Sequence, residues 1–474
     1  MLNHEPSRLE TLLEGTSLIV SAQASTNAAV DDPETLWKLA KCSLDEGVRV
    51  LRLQGVDNIR TIKAHAGSDV RVIGLIKQDY DHSEIYITPT RREVSSLLDL
   101  GCEVIALDAS ARSRPDGSTV AELVEMIHQA GALAMADCDS SETIDHAVAS
   151  GCDLIGTTLA GYTPARAMTP GPDFELVRYA VSTGLPVIAE GRYAERWEVE
   201  AALRIGAQAV VIGGAINDPV KQTRKFIVRN PNNKERVGAV DIGGTWIRFA
   251  VFESGQLVAV EREPLPSKRQ QRIQWIHSQI AQHRVQRLGV GTGGTVDPVT
   301  GEVWEAKPII PEHQGSVFHS KVFGIPTVSL NDGLATAWGH ACHPDFAGKN
   351  VATLALGTGV GAGFVLRGEI VRGPRGEYPR LNDVTTDSGR TVEDLLGGAG
   401  LSPEPTLEQR QDAIEAFRTV VRLTREMIYP DVIVVAGSVG LSDWLRPVVE
   451  ELGCVPTPYG AEAGIWGSYW LACR

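Results

Sequence analysis

The chain has 474 residues, of which 43% are hydrophobic and 22% are charged, and its formal net charge is −14 at pH 7. This length exceeds that of one typical hydrophobic core, so the composition predicts a soluble protein of two domains. The acidic balance argues against binding to nucleic acid or to an anionic membrane, because their phosphates would be repelled.

Eight short apolar runs follow one another through the first half, and each stops at a polar residue or a glycine. The end points are Gln23, Arg52, Lys77, Asp108, Asp137, Thr157, Glu190 and Gly213. Neighbouring end points are separated by about the length of one strand–helix unit. This rhythm predicts a (β/α)8 TIM barrel, whose active site lies where the strands end, with the charged end points facing one mouth.

Lys77 and Glu190 are the natural acid–base pair in such a mouth. A base that takes a proton from carbon works best with a pKa near neutral pH, and burial beside other cations lowers the pKa of a lysine. Arg52 and Gln23 could stabilise the negative charge that develops. No cluster of His, Asp and Glu with metal-ligand spacing stands out, which disfavours a metal-dependent reaction.

Two glycine turns follow the last two predicted strands, at Gly191 and at Gly213–Gly214. The loops after strands seven and eight form the usual phosphate site of this architecture, because glycine lets backbone N–H groups approach the oxygens. Two such turns at the expected places predict a phosphorylated substrate.

Six short segments of this half resemble N-acylmannosamine-6-phosphate 2-epimerases, namely residues 20–24, 76–80, 86–90, 106–110, 156–163 and 189–192. The resemblance covers nearly all of residues 10–228. It implies interconversion of N-acetylmannosamine 6-phosphate and N-acetylglucosamine 6-phosphate without a cofactor, with Lys77 and Glu190 as the catalytic residues. It implies sugar-binding positions at Gln23, Arg52 and Asp137. The candidates for the phosphate side are Arg192, Gly213, Gly214 and Arg224.

A different phosphosugar isomerase, such as a pentulose-phosphate epimerase, is the alternative for the barrel. Such enzymes usually carry metal-ligand histidines at the strand ends, and none of the eight end points is a histidine.

A polar, proline-containing segment at residues 229–236 separates the halves, so the predicted domains are 1–232 and 233–474. The first ten residues lack a basic segment followed by an apolar one, and no apolar run reaches membrane-spanning length. The seven cysteines form no Cys-x-x-Cys pair, which disfavours a zinc ribbon or a redox motif. We therefore expect a cytoplasmic protein, with no nucleic-acid or membrane partner, that acts as a homo-oligomer on small molecules.

Three glycine turns in the second half predict a nucleotide site. Residues 237–241 and 246–252 read as a hairpin whose turn offers backbone amides to phosphate, while Asp241 could hold a magnesium-bound water. A second turn follows the predicted strand at 351–355, and residues 434–440 offer a third. The predicted nucleotide-binding residues are Asp241, Gly243, Gly244, Thr245, Gly357, Thr358, Gly359, Val360, Gly361, Gly363 and Gly437.

Asn331 and Asp332 follow the predicted strand at 326–330 and open the helix at 333–340. A carboxylate at this place could take a proton from a sugar hydroxyl as the hydroxyl attacks a γ-phosphate. It could equally be an ordinary helix N-cap, for which aspartate is common.

Residues 237–473 resemble the ROK family of sugar kinases, which have the actin-like ATPase fold. N-acetylmannosamine kinase matches best by context, because its product would be the substrate of the barrel. The resemblance implies Asp332 as the catalytic base, Asn331 as a sugar ligand, and ATP with magnesium at the glycine loops.

The stretch that usually binds structural zinc in this family departs from the pattern. The family has a Gly-His pair and a cysteine cluster there, whereas residues 376–393 contain neither cysteine nor histidine. We therefore predict that the structural zinc is absent. Glu393 matches the acidic residue that closes the motif, which would make it a sugar ligand, and the family's sugar-site asparagine is replaced around residues 307–309.

Together these patterns predict a bifunctional enzyme of amino-sugar breakdown, as in sialic acid degradation. The alternative is an active epimerase fused to a ROK-like domain that only senses a sugar or that phosphorylates another hexose.

Overall fold

The computed structural model describes residues 13, 17–24, 28–67, 70–169, 171–227, 235–306, 310–402 and 404–474. Backbone contacts divide the chain into two compact units, Met1–Ile227 and Val228–Arg474. The predicted boundary near residue 232 and the replaced asparagine region at 307–309 lie outside the described residues. Among the helices of the described ranges, none combines the length and the apolar character that crossing a bilayer requires.

The first unit is a closed barrel of eight parallel strands, and the predicted (β/α)8 architecture is confirmed. The strands are β1 Leu18–Ala22, β2 Val50–Gln54, β3 Arg71–Leu75, β4 Val104–Asp108, β5 Leu133–Asp137, β6 Leu154–Gly156, β7 Val187–Glu190 and β8 Ala209–Ile212. The helices of this unit are α1 Pro33–Asp45, α2 Val56–Ala66, α3 Arg91–Asp99, α4 Val120–Gln129, α5 Ser141–Ala149, α6 Phe174–Ser182, α7 Arg196–Ile205, α8 Gly214–Asn217 and α9 Pro219–Phe226.

Alternation along the strands divides the apolar side chains of the barrel between two cores. Ile19, Ile73 and Ile188 belong to a cluster inside the barrel, whereas Val20 and Val72 belong to the cluster that packs the strands against the surrounding helices. Strands buried on both faces leave only their ends for polar groups, which is why the polar end points collect at the mouth.

The second unit contains two five-stranded sheets with the same strand order and the same pattern of directions. The first sheet runs β11-β10-β9-β12-β15 and the second runs β18-β17-β16-β19-β20. Each combines an antiparallel three-stranded part with two parallel strands. The strands of this unit are β9 Arg236–Ile242, β10 Trp246–Glu253, β11 Gln256–Pro264, β12 Arg287–Thr292, β13 Thr295–Val296, β14 Val303–Glu305, β15 Thr327–Asn331, β16 Val351–Leu356, β17 Val360–Leu366, β18 Glu369–Ile370, β19 Val432–Ala436 and β20 Val455–Pro456.

Two helices of the second unit cross at a pair of glycines. The Cβ of an alanine at Gly339 would lie 2.8 Å from the Cα of Gly467, so the crossing requires residues without a side chain. The helices of this unit are α10 Arg269–His283, α11 Ser320–Phe323, α12 Asp332–Ala341, α13 Val392–Leu396, α14 Leu407–Ile428, α15 Arg446–Glu451 and α16 Ala463–Cys473.

Candidate active sites

A cavity of about 1050 Å³ opens at the carboxyl ends of the barrel strands. Its lining includes most of the polar residues predicted for the epimerase site, which are Gln23, Arg52, Lys77, Glu190, Arg192, Gly213 and Gly214. Lys77 and Glu190 therefore share one cavity, as the acid–base prediction requires.

A short antiparallel pairing of the backbone holds Lys77 at the mouth of the barrel. Its backbone bridges Ile87, and the Thr88 N–H donates to the Ile76 carbonyl at 2.7 Å. The Lys77 Nζ donates to Gln23 Oε1 at 2.8 Å, and the Gln23 amide donates to Ser21 Oγ at 2.9 Å. The amine thus has a fixed position with one neutral acceptor.

Arg52 lies in the same cavity as this amine, and its side chain is only 1% exposed. It donates to Asp137 Oδ2 at 2.6 Å. Its Nε lies 3.2 Å from Glu190 Oε2, which makes an ion pair without the alignment of a hydrogen bond. Thr158 Oγ is 2.6 Å from Asp137 Oδ1 and 3.2 Å from Glu190 Oε2, so this hydroxyl, with one proton, donates to one carboxylate at a time.

Burial moves the pKa values of the two predicted catalytic groups toward each other. Burial raises the pKa of Glu190 to about 7, with Asp137 adding to the increase and Arg52 opposing it. The Lys77 side chain is accessible from the cavity, but the surrounding barrel wall still lowers its pKa, and the Arg52 cation lowers it further. Groups whose pKa values approach each other across neutral pH can exchange roles as acid and base.

The cations at the predicted phosphate end of the cavity are not the ones that the sequence predicted. Arg224 is exposed on α9 and does not line the cavity, whereas Lys221 and Lys225 on the same helix do. Lys221 lies over the glycine turn, because a Cβ at Gly214 would meet its Nζ at 3.0 Å. The prediction for Arg224 is therefore corrected, since a helix presents residues four apart on one face.

Arg192 lines the cavity, but its guanidinium is engaged by the protein. It donates to the Gly171 carbonyl at 2.9 Å and to Thr169 Oγ at 2.8 Å, and it stacks on Tyr162. These contacts describe a residue that orders the loop after β6 rather than one that points to an anion.

Two further polar strand ends turn away from the cavity. Asp108 is fully buried, accepts from the Ser110 N–H at 2.8 Å, and pairs with Arg112 at 2.8 Å. Asp137 is also fully buried, and its carboxylate accepts hydrogen bonds from Arg52 and Thr158, which line the cavity. It therefore supports sugar-binding residues instead of lining the cavity itself.

A second cavity, of about 190 Å³, lies within the second unit. The turns after β9, β16 and β19 all contribute to its wall, together with Asp332 and the start of α16. The predicted nucleotide-binding residues that line it are Asp241, Gly243, Gly244, Gly357, Thr358, Gly359, Gly361 and Gly437. Three distant glycine turns and the predicted catalytic aspartate thus meet at one place.

Three of the predicted nucleotide residues lie outside this wall. Thr245 is exposed, and Val360 is buried at the start of β17. A Cβ at Gly363 would lie 2.3 Å from the Gly333 carbonyl oxygen, so this glycine allows β17 to pack against α12.

Asn331 and Asp332 have different roles at the start of α12. Asn331 is the N-cap, because its Oδ1 accepts the N–H groups of Gly333 and Leu334, and its amide donates to the Gly294 carbonyl at 3.0 Å. Asp332 is the first helical residue and lines the cavity. Asn331 therefore caps the helix from a buried position, whereas Asp332 lines the cavity.

Asp241 lies at the end of β9 against the start of α16. Its carboxylate pairs with Arg248, which also donates to the Ala461 carbonyl at 2.9 Å. A Cβ at Gly464 would lie 2.8 Å from Asp241 Oδ2, so α16 approaches the carboxylate closely only because this residue is glycine. Carboxylate oxygens such as those of Asp241 and Asp332 suit magnesium.

Glu393 does not line the cavity. Its Oε2 accepts the Val360 N–H at 2.7 Å, so it contacts the turn between β16 and β17. The sugar-ligand role that the resemblance implies for Glu393 stays a prediction. The residues at 376–393 do not fit a zinc ion, since thiolates and imidazoles are lacking. In the described part of the chain, no group of three or more His, Cys, Asp or Glu is placed to hold a metal.

The sequence reasoning missed Lys221, Lys225 and Thr158 in the barrel and Arg248 in the second unit. The two lysines carry a signal that could have found them, namely the spacing of four residues on a short helix beside the glycine turn. Thr158 carries no such signal, because its partners Asp137 and Glu190 are far away in the sequence. Arg248 does carry one, because it lies opposite Asp241 in the β9–β10 hairpin.

Comparison with known proteins gives matches over both units. Residues 36–230 match the NanE family model, described as N-acetylmannosamine-6-phosphate epimerase, and residues 237–387 match the model of the ROK family. The chain is 32% identical to the bifunctional enzyme NanE/NanK of Brucella melitensis, over 95% of each chain.

Two further relatives correspond to the barrel alone. A Clostridium perfringens protein named as an N-acetylmannosamine-6-phosphate 2-epimerase is 43% identical over 44% of this chain and 95% of its own. A solved structure of the N-acetylmannosamine-6-phosphate 2-epimerase from Clostridium perfringens is 40% identical over 48% of this chain and 98% of its own, with a TM-score of 0.45.

A barrel with an acid–base cavity, followed by a two-sheet unit with a glycine-lined cavity, defines a fused isomerase and sugar kinase. The extent of the match to the Brucella melitensis protein identifies the particular family. The chain belongs to the bifunctional NanE/NanK enzymes.

Proposed function

We propose that this chain carries out two consecutive steps of amino-sugar breakdown. The second unit phosphorylates N-acetylmannosamine at its 6-hydroxyl with ATP, and the barrel inverts C2 of the product to give N-acetylglucosamine 6-phosphate. The observation that carries the proposal is that Lys77 and Glu190 share one cavity while Asp332 and three glycine turns share another.

In the barrel, Lys77 in its neutral form removes the proton from C2 of the open-chain sugar, where the neighbouring aldehyde makes that proton acidic. Arg52 stabilises the negative charge that develops on the aldehyde oxygen. Protonated Glu190 then returns a proton to the opposite face of C2. In the reverse direction the two groups exchange roles, and the lowered pKa of Lys77 and the raised pKa of Glu190 suit both directions.

The phosphate of the substrate fits the other end of the same cavity. The Gly213–Gly214 turn offers backbone to the oxygens, and Lys221 and Lys225 supply positive charge beside it. Asp218 pairs with Lys221 at 3.5 Å and also accepts the Lys221 N–H at 3.0 Å. This pairing orients the lysine toward the turn.

In the second unit, Asp332 accepts the proton of the 6-hydroxyl as that oxygen attacks the γ-phosphate. The turns at Gly243–Gly244 and Gly357–Gly359 hold the phosphates, and Gly437 provides the third wall. Asp241 would hold a magnesium-bound water, and the magnesium ion would supply charge neutralisation for the phosphates.

One coupled experiment tests both steps on the purified full chain. N-acetylmannosamine, ATP and magnesium are supplied in deuterated water, and the products are followed by mass spectrometry and NMR. We expect sugar-dependent formation of ADP, followed by N-acetylglucosamine 6-phosphate with deuterium at C2. Absence of hexosamine-dependent ATP turnover would overturn the kinase assignment and favour the sugar sensor. Product without deuterium at C2 would overturn the proton-transfer mechanism.

A further inference from the structure

A strap without helix or strand, residues 371–380, follows β18 in the second unit. Val371 and Leu381, at its two ends, pack against the core of the second sheet. Between these ends the strap turns, and the Arg375 N–H donates to Glu377 Oε2 at 2.9 Å within the turn. The strap is therefore anchored in the second sheet and has a hydrogen bond of its own that holds its turn.

The middle of the strap packs on the β13–β14 hairpin, whose Val296 and Val303 belong to the core of the first sheet. The Arg375 guanidinium carbon lies 4.0 Å from the centroid of the Trp304 ring, and Trp304 Nε1 donates to the Arg375 carbonyl at 2.8 Å. A Cβ at Gly376 would lie 1.9 Å from the Val296 carbonyl oxygen, so strap and hairpin touch backbone to backbone. The strap thus bridges the two sheets of the unit.

An ion pair adds a second contact near the end of the strap. Arg380 donates to the Glu305 carboxylate on β14. The Thr295 hydroxyl on β13 donates to the same carboxylate at 3.0 Å, so Glu305 ties both strands of the hairpin to the strap. The strap overlaps the stretch 376–393, which contains no thiol or imidazole for a zinc ion. Stacking and an ion pair thus make the contact in a place where the ROK family carries zinc ligands.

The hairpin in turn contributes to the second cavity. Gly293 and Ile310 lie on either side of the hairpin in the chain, and both line this cavity. The Asn331 amide donates to the Gly294 carbonyl at 3.0 Å, directly before Asp332 in the chain. A shift of the hairpin would therefore disturb the wall around Asp332, which is the proposed acceptor of the sugar proton.

We infer that residues 371–380 and the β13–β14 hairpin form a metal-free clasp, which joins the two sheets and positions the cavity wall around Asp332 for the acceptor sugar. The inference deepens the kinase half of the proposed function and rests on it. A guanidinium over an indole ring is attracted by the negative face of the ring. Exposed ion pairs are individually weak, so the clasp depends on the stacking and the ion pair together.

The first test measures amide hydrogen exchange of the full chain without substrates. Arg375→Ala combined with Arg380→Ala should speed exchange in residues 295–305 roughly threefold to tenfold, because the hairpin opens more often when the strap releases it. The exposed Arg422→Ala on α14 is the control and should match the parent chain. Unchanged exchange in the double variant would overturn the inference, whether or not the chain phosphorylates a sugar.

Kinase kinetics on the same variants test the positioning role. At saturating ATP, the double variant should raise the KM for N-acetylmannosamine roughly threefold to tenfold, in line with the loss of one stacked and one ionic contact. Its kcat should stay within twofold, and so should deuterium exchange in the barrel. Arg380→Lys keeps the charge opposite Glu305 and should keep KM within twofold. Lower stability in urea with an unchanged KM would make the strap a purely structural element and overturn the inference.

The zinc content of the purified chain separates the clasp from a metal-braced fold. We expect substoichiometric zinc by mass spectrometry, and an unchanged kinase rate after chelation once magnesium is restored. Stoichiometric zinc whose removal raises KM would overturn the inference. If the parent chain shows no hexosamine-dependent ATP turnover, the kinase assignment fails, and the hydrogen-exchange result still decides whether the clasp exists.

Discussion

The two cavities of this protein are built from different parts of the polypeptide. The barrel cavity has nine charged residues and three glycines among the 28 residues that line it, whereas ten of the 21 residues lining the second cavity are glycines. Proton transfer at carbon needs side chains with adjusted pKa values, and the barrel supplies them by crowding charges. Phosphoryl transfer needs position and charge stabilisation, which a glycine-rich backbone can supply.

The largest effect should come from removing the proposed base of the barrel. Lys77→Ala should lower the rate of deuterium exchange at C2 roughly 100- to 10,000-fold, the usual contribution of a general base. The rate of ADP formation should stay within twofold of the parent chain. The exposed Lys41→Ala on α1 is the control, and normal exchange in Lys77→Ala would remove Lys77 from the mechanism.

The matching change in the second unit is Asp332→Asn. It keeps the shape of the side chain but removes the proton acceptor, so phosphorylation should also fall roughly 100- to 10,000-fold. Deuterium exchange into added N-acetylglucosamine 6-phosphate should not change. The exposed Asp345→Asn serves as control, and an active Asp332→Asn would assign the acceptor role elsewhere.

A glycine-built cavity should also be sensitive to a single methyl group. Gly437 has a φ of +87°, and a Cβ there would lie 2.3 Å from the Leu356 carbonyl oxygen. Gly437→Ala should destabilise the second unit by about 1–3 kcal/mol, measured as an earlier loss of kinase activity in urea with barrel activity retained.

The matched control for this change is Gly368→Ala in the same sheet. Its φ is +77°, but the space around its Cβ is open within 4 Å. Gly368→Ala should therefore destabilise the unit less, because the only cost is the strain of a side-chain-bearing residue at a positive φ. Equal losses at both positions would show that the close approach to Leu356 does not matter.

Substitutions on α9 sharpen the picture of the phosphate end of the barrel. Lys221→Ala combined with Lys225→Ala should raise the KM for the sugar phosphate roughly threefold to tenfold, because charge-assisted contacts are lost. Arg224→Ala on the same helix should leave KM unchanged. A KM effect from Arg224 alone would restore the sequence-based prediction.

The smallest expected effect is a shift in the pH profile of exchange. The reaction needs one proton shared between Lys77 and Glu190, so the rate should fall below a pH of about 7, where both groups are protonated. It should fall again at high pH, where both have lost their protons. The hydrogen bond from Thr158 lowers the pKa of Glu190. Thr158→Val should therefore move the acid limb upward by less than about one unit, and a downward shift would contradict this assignment.

The sequence predicted the barrel well because its signal is repeated at every strand end. It predicted Lys77 and Glu190 for the same reason, since residues at the ends of parallel strands meet at one mouth. It failed for Arg224, because residue type alone does not say which helical face meets the cavity. It also failed for Asp108, whose carboxylate is taken by Arg112.

In the second unit the turns were predictable but the directions of individual side chains were not. Glycine-rich hairpins are local features, so their existence can be read from neighbouring residues. Whether Glu393 faces a sugar or the Val360 N–H depends on how α13 packs against β17, which is a tertiary contact. The N-cap role of Asn331 likewise depends on where α12 begins.

The glycine crossing of α12 and α16 has a mechanical consequence for the second cavity. Asp332 begins one of these helices, and the other begins beside Gly464, against Asp241. Because the two helices touch backbone to backbone at Gly339 and Gly467, the separation of their axes fixes the gap between the two carboxylates. A methyl group inserted at this distant crossing should therefore widen the gap between Asp332 and Asp241, and with it the proposed phosphate site, without altering a residue of that site.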